Sequence, residues 1–144
     1  MITAVYPAAF EHLFRGRYGD LLTADVRLML CDDWYTPAAT DAYADIPGTA
    51  EAYGGGYTSG GAPIPGLTLA WDASIGREVL GCGTIVFPAA AFTVRYAIAY
   101  VAIGGDYMAS PLICYADLGQ AVTLNNADWP IAFPAGLLRL GPPA

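Results

Sequence analysis

The chain contains no lysine and a single histidine, and its six arginines face thirteen acidic residues, for a formal net charge of −7. That balance leaves no basic surface to neutralise a phosphate backbone, which excludes nucleic acid as a direct partner. Metal-ligand spacing is missing as well. Zinc asks for three or four Cys, His or carboxylate ligands in recognisable spacing, and the three cysteines, Cys31, Cys82 and Cys114, contain no Cys-x-x-Cys pair. Their odd number gives no disulfide framework, so they read as small buried strand residues. No cofactor or metal is expected. Two long stretches, Ala52 to Trp71 and Val79 to Val94, are free of charge, but glycine and proline interrupt both, and neither makes a spanning helix. The opening MITAVYPAAFEHLF has no basic residue ahead of its apolar ones and does not read as a secretory signal. A soluble protein made in the cytoplasm is expected. An eight-stranded outer-membrane barrel fits the length but not the missing signal.

What is abundant is apolar surface. Apolar residues make up 56% of 144 residues and charged ones 13%, the reverse of a disordered composition, and the length predicts a single domain over 1–144. A monomer of 15.1 kDa exposes roughly 7,000 Å², of which so few charged side chains can cover only about a quarter. The remainder must be apolar or neutral polar, which predicts a chain that buries part of its surface in an assembly. Closed symmetry is expected, with a homo-trimer favoured, because an open apolar contact would propagate into fibres.

Periodicity then places the elements. Phe10, Leu13 and Phe14 fall at i, i+3 and i+4, with Pro7 before them and Gly16 after, which predicts a short helix over Pro7 to Arg15 packing those three residues against a sheet edge. Asp25 to Cys31 alternates and reads as a strand. Thr36-Pro37 resembles a helix start, so Ala38 to Ala44 is predicted as two helical turns ended by Ile46-Pro47. From Leu67 onward the chain is strand and turn: Leu67 to Trp71 with one packed face, Glu78 to Cys82 and Thr84 to Phe87 about a bulge at Gly83, and Phe92 to Ile103. The last is apolar on both faces and belongs at the centre of a sheet. Leu112 to Leu118, Val122 to Leu124, Trp129 to Phe133 and Leu137 to Leu140 complete the set. Seven or eight short strands with a short N-terminal helix predict a mainly β fold, an antiparallel β-sandwich or flattened barrel.

Groups that could carry chemistry are few. His12, beside Glu11 on the first helix, reads as a solvated face residue rather than a general base. Asp32-Asp33 and the Asp41, Asp45 pair form no calcium loop and read as solvating carboxylates. The run Gly54 to Gly61 lacks the lysine of a phosphate loop; its glycines permit a tight surface excursion. Arg95, alone in an apolar strand, calls for a carboxylate partner, with Asp25, Asp72 and Asp117 as candidates. No catalytic residue is assigned and no enzyme is expected. Ten tyrosines and three tryptophans with little charge match the composition of interfaces. Trp34, Tyr35, Tyr53 and Tyr57 lie in loops next to turn residues and are the candidate partner-facing aromatics, with Trp34 folded back onto the core as the alternative for that residue.

Four segments together resemble a family of small structural proteins of tailed bacteriophages and prophages. They are DVRLMLCDDWYTP at Asp25 to Pro37, Gly56 to Gly61 followed by Leu67-Thr68-Leu69, Thr93 to Ala97 reaching Tyr100, and Ser110 to Ile113 running to Asp117-Leu118-Gly119. The resemblance spans most of the chain in order, and departs from it in a more apolar strand around Val79 to Phe87. It implies a non-enzymatic virion component: a capsid decoration (cement) protein on the outer head surface, bound to the major capsid protein or another virion protein, or alternatively a head-spike or tail/fibre attachment module that recognises the host. Its location is then the virion, assembled in the bacterial cytoplasm.

Overall fold

The structure, a computed structural model, describes residues 1–46 and 49–141. Its central strand is β7 (Thr93–Val101), whose side chains from Tyr96 to Val101 are all buried. A strand apolar on both faces must be covered twice, and the rest of the fold supplies two covers. β7 lies third in a five-stranded antiparallel sheet, between β8 (Leu112–Thr123) and β2 (Val26–Cys31), with β1 (Ile2–Val5) and β3 (Ala62–Pro63) at the edges.

One face of this sheet carries Leu28, Leu30, Val94, Ala97, Ala99 and Ile113, packed against two smaller antiparallel sheets. These are the three-stranded β4 (Thr68–Asp72), β5 (Arg77–Gly81) and β10 (Leu138–Leu140), and the pair β6 (Ile85–Ala90) and β9 (Ala127–Ile131). The opposite face carries Met29, Cys31, Tyr96, Ile98 and Tyr100, and among the described residues no sheet covers it. Tyr6, Tyr35, Ala44 and Ala50 do so instead. The molecule is therefore mainly β, antiparallel and sandwich-like, with open sheet edges and, among the described residues, one short α-helix, α1 (Ala8–Phe14). No helix among the described residues is long and apolar enough to cross a membrane.

Several sequence expectations need correction. The helix exists, but it docks through Ala9 and His12, which are buried, while Phe14 is 88% exposed and Phe10 is also open to solvent. Of the predicted face only Leu13 packs on the core. His12 is no solvated residue: its Nε2 donates to the Ala42 carbonyl at 2.7 Å, Arg17 donates to its Nδ1 at 3.1 Å, and its ring meets Tyr18 and Tyr43. No helix forms at Ala38 to Ala44. Asp41 accepts from the Ala38 amide and the Tyr35 hydroxyl, and the chain beyond it runs extended beside β8, with Leu112 N–H on Ala42 and Ala44 N–H on Ser110. Pro47, the expected stop, lies outside the described residues.

Two strand boundaries also move. Gly119-Gln120 does not end a strand, because β8 runs through it with a register shift opposite Val94 and Tyr96. That irregularity puts Val94 on the opposite face from Tyr96. Gly83 is not a bulge: it separates β5 from β6, which belong to different sheets, and its amide bonds the Pro65 carbonyl. Cys31 and Cys114 are buried in β2 and β8, and Cys82 is half-buried; all three are free thiols. Burial pushes the Cys114 thiol up to about 12.

The helix face is testable. His12→Ala removes a buried ring and one of the two hydrogen bonds on the Ala42 carbonyl, and is expected to lower unfolding free energy by about 2 to 4 kcal/mol in urea titration. Phe14→Ala is expected to change it by under ~0.5 kcal/mol, as for other exposed side chains; the reverse order would reinstate the Phe10/Leu13/Phe14 face.

Candidate functional site

The glycine-rich segment is anchored by a residue that sequence reading missed. The Glu51 carboxylate accepts from the Tyr57 hydroxyl at 2.7 Å and the Gly60 amide at 2.6 Å, with Ser59 and Tyr107 hydroxyls at 3.4 and 3.5 Å. Tyr57 in turn accepts from the Leu30 amide at 3.2 Å, and Ala52 donates to the Leu30 carbonyl at 2.8 Å. The segment thus closes part of the outer edge of β2 that β3 leaves open. Gly61 is required for this approach, since at φ +83° a Cβ there would collide with the Leu28 carbonyl. Nothing in the spacing around Glu51 signals its role, because its partners come from a loop and a distant 3₁₀ turn.

This anchoring sorts the four candidate aromatics. Tyr57 is half-buried: its ring stacks near Phe87 and meets Phe92 edge-on, and burial raises its hydroxyl pKa. Tyr35 is buried at 7% exposure, its hydroxyl donating to Asp41 and lying 2.9 Å from that of Tyr6. Both were expected in solvent, but each has a hydroxyl partner that lets the ring go inside. Trp34 and Tyr53 are 84% and 83% exposed, so the folded-back alternative for Trp34 is not what occurs.

Those two rings line one cleft of about 430 Å³ with Asp32, Asp33, Ala52, Phe92, Thr93, Thr123 and Leu124. Phe92 and Ala52 are buried and supply an apolar lining. Thr93 and Thr123 hydroxyls sit 3.0 Å apart on β7 and β8. The Trp34 amide donates to Asp32 Oδ1 at 2.9 Å, which fixes the turn that carries the indole. Beyond the turn, Arg95 pairs with Asp117 at 2.8 and 3.4 Å, stands over the Tyr96 ring, and feels the charge of Asp33. Of its three candidate partners, Asp117 is the one used.

A second exposed feature lies on β4. Leu69 pairs across the strands with Leu80, which pairs with Leu138. Leu80 and Leu138 are buried, whereas Leu69 is 54% exposed and Trp71, next but one along the strand, is 59% exposed. The face expected to be packed therefore overhangs the core. β4 is also an edge strand, with one side of its backbone unpaired.

Comparison with protein-family models, with curated proteins and with solved structures finds no match to this chain.

Two outcomes are expected. Glu51→Ala should destabilise the fold by about 1 to 3 kcal/mol, the range for stranded buried donors, and raise amide exchange over residues 53–61 well before global unfolding. Asp117 is held below the ordinary carboxylate range by its hydrogen bonds from Arg95 and the Gly119 amide. Its stabilising contribution is therefore complete above the unfolded value of ~3.9 and is lost as pH falls through the lower folded value. Asp117→Asn should remove that part of the acid slope in stability measured from pH 2 to 6 (roughly the carboxylate range).

Proposed function

We propose that this chain is a non-catalytic structural protein of a tailed-bacteriophage virion, a capsid decoration protein that docks on the outer head surface against the major capsid protein. The observation that carries the reading is the overhanging apolar face of β4, Leu69 and Trp71, on an edge strand rather than over a core. A free monomer gains nothing from it, and a lattice-bound subunit buries it. Most of the segments behind the phage resemblance, on β2, β7, β8 and the Gly56 to Gly61 loop at the edge of β2, lie in one layer, and Leu67-Thr68-Leu69 reaches into β4 of the smaller three-stranded sheet. The departing stretch Val79 to Phe87 falls in the smaller sheets as well.

A structural role also agrees with how the reactive groups are used. Both ring nitrogens of His12 are committed to protein partners, and burial raises the pKa of the Cys31 and Cys114 thiols. A host-recognition module on a head spike or tail fibre is the second reading, favoured by the open Trp34 and Tyr53 rings.

The purified chain is expected to sediment as a closed homo-oligomer, with a trimer favoured, and to bind empty capsids of the phage or prophage that encodes it. Because the contact is mainly apolar, dissociation should respond weakly to salt. Trp71→Asp should abolish both association and capsid binding while leaving the far-ultraviolet circular dichroism unchanged. A monodisperse monomer at micromolar concentration that ignores capsids would sink the proposal.

A further inference from the structure

Trp34 and Tyr53 are large rings that the core does not need. Each stands on backbone that is pinned rather than loose. Trp34 is held by the Asp32 side chain in a tight turn, and Asp32 itself donates its amide to the Ala50 carbonyl at 2.9 Å. Tyr53 lies between Ala52, bonded to Leu30, and Gly54, where a Cβ would collide with the Ala91 carbonyl. The Ala91 amide bonds the Gly55 carbonyl at 2.9 Å and fixes the far wall. On a fixed backbone each ring has only two side-chain torsions left to order, so holding it on a ligand loses little entropy.

We infer that the cleft between Trp34 and Tyr53 binds a neutral saccharide chain. The sugar ring has apolar C–H faces and a rim of hydroxyls, and the cleft offers a counterpart to each. Indole and phenol faces supply flat apolar area for the C–H faces. The Asp32 and Asp33 carboxylates accept hydroxyl hydrogens, and the Thr93 and Thr123 hydroxyls can donate or accept. A volume of about 430 Å³ lies within the ~300 to 1,000 Å³ of small-ligand sites.

Charge narrows the class further. Two carboxylates at the cleft and a net charge of −7 disfavour an anionic glycan or a nucleic acid. Against a cationic ligand, the two rings stand open rather than closing a cage. This cleft shares no residue with the β4 face, so the inference goes beyond docking on a capsid and stands or falls separately from it.

The test titrates the full chain by calorimetry with maltohexaose, cellohexaose and chitohexaose. Choline and a hexa-arginine peptide serve as cationic probes, and a heparin hexasaccharide as the anionic one. At least one neutral hexasaccharide is expected to bind at millimolar concentration or below. Trp34→Ala and Tyr53→Ala should each weaken it by about tenfold or more, equivalent to ~1.4 kcal/mol, with thermal midpoints unchanged because both side chains are exposed. Trp71→Ala should leave it intact, whatever that change does to oligomerisation. No binding of any neutral hexasaccharide at millimolar concentration, binding that survives both cleft substitutions, or binding of the charged probes alone would overturn the inference.

Discussion

Everything in this fold follows from a strand that is apolar on both sides. Tyr96 to Val101 leaves no face for water, so a small chain must build two covers over one sheet. The first cover uses ordinary strands, with Leu80, Ile85, Phe87, Ile131 and Leu138 aimed inward. The second has no strands to spend and is made of irregular chain, which brings backbone polar groups with it. Tyrosine solves that problem, because its ring fills apolar space while its hydroxyl reaches a nearby acceptor. The Tyr100 hydroxyl donates to the Gly60 carbonyl at 2.7 Å, and the Tyr35 hydroxyl is spent on Asp41, so Tyr6 must donate to Tyr35.

That solution explains why composition misleads here. Ten tyrosines with little charge look like an interface, yet Tyr53 alone among them is exposed. The others are absorbed by the second cover, by the His12 cluster and by the Glu51 anchor. Scarcity of charge in this chain therefore reflects a doubly covered sheet as much as an outer surface awaiting a partner.

How much was readable follows from whether a residue answers to its neighbours in sequence or to distant ones. β2, β4, β5, β7, β9 and β10 obey local alternation, and the sequence reading locates them within a residue or two, while β6 runs three residues past the expected end at Phe87. β1 has only four residues and owes its strand to pairing with β8, more than a hundred positions away. The helix at Ala38 to Ala44 fails because Ala42 and Ala44 bond to the start of β8, a choice that no local signal announces. His12 is the same case: apolar spacing favoured Phe10 and Phe14, but the imidazole is the side chain that goes inside, where it bonds the Ala42 carbonyl. At the candidate site, Trp34 and Tyr53 were legible as loop aromatics beside turn residues, while Tyr35, Tyr57 and Glu51 depend on hydroxyl and carboxylate partners that only folding brings within reach.

The two exposed apolar features differ in a way that separates their roles. Leu69 continues the cross-strand row of Leu80 and Leu138 out of the core and Trp71 stands next but one along the strand, so the two form an exposed apolar extension of a packed surface, which suits another protein surface. Trp34 and Tyr53 instead flank a concavity that also holds carboxylates and hydroxyls, and mixed lining of that kind suits a small polar ligand with apolar faces. The stability of the fold depends on neither. Both features are carried by hydrogen-bonded backbone, β4 through its ladder with β5 and the cleft through the Asp32 turn and the bond from Ala91 to Gly55, so a change at either exposed side chain is free to alter binding without first having to alter the core.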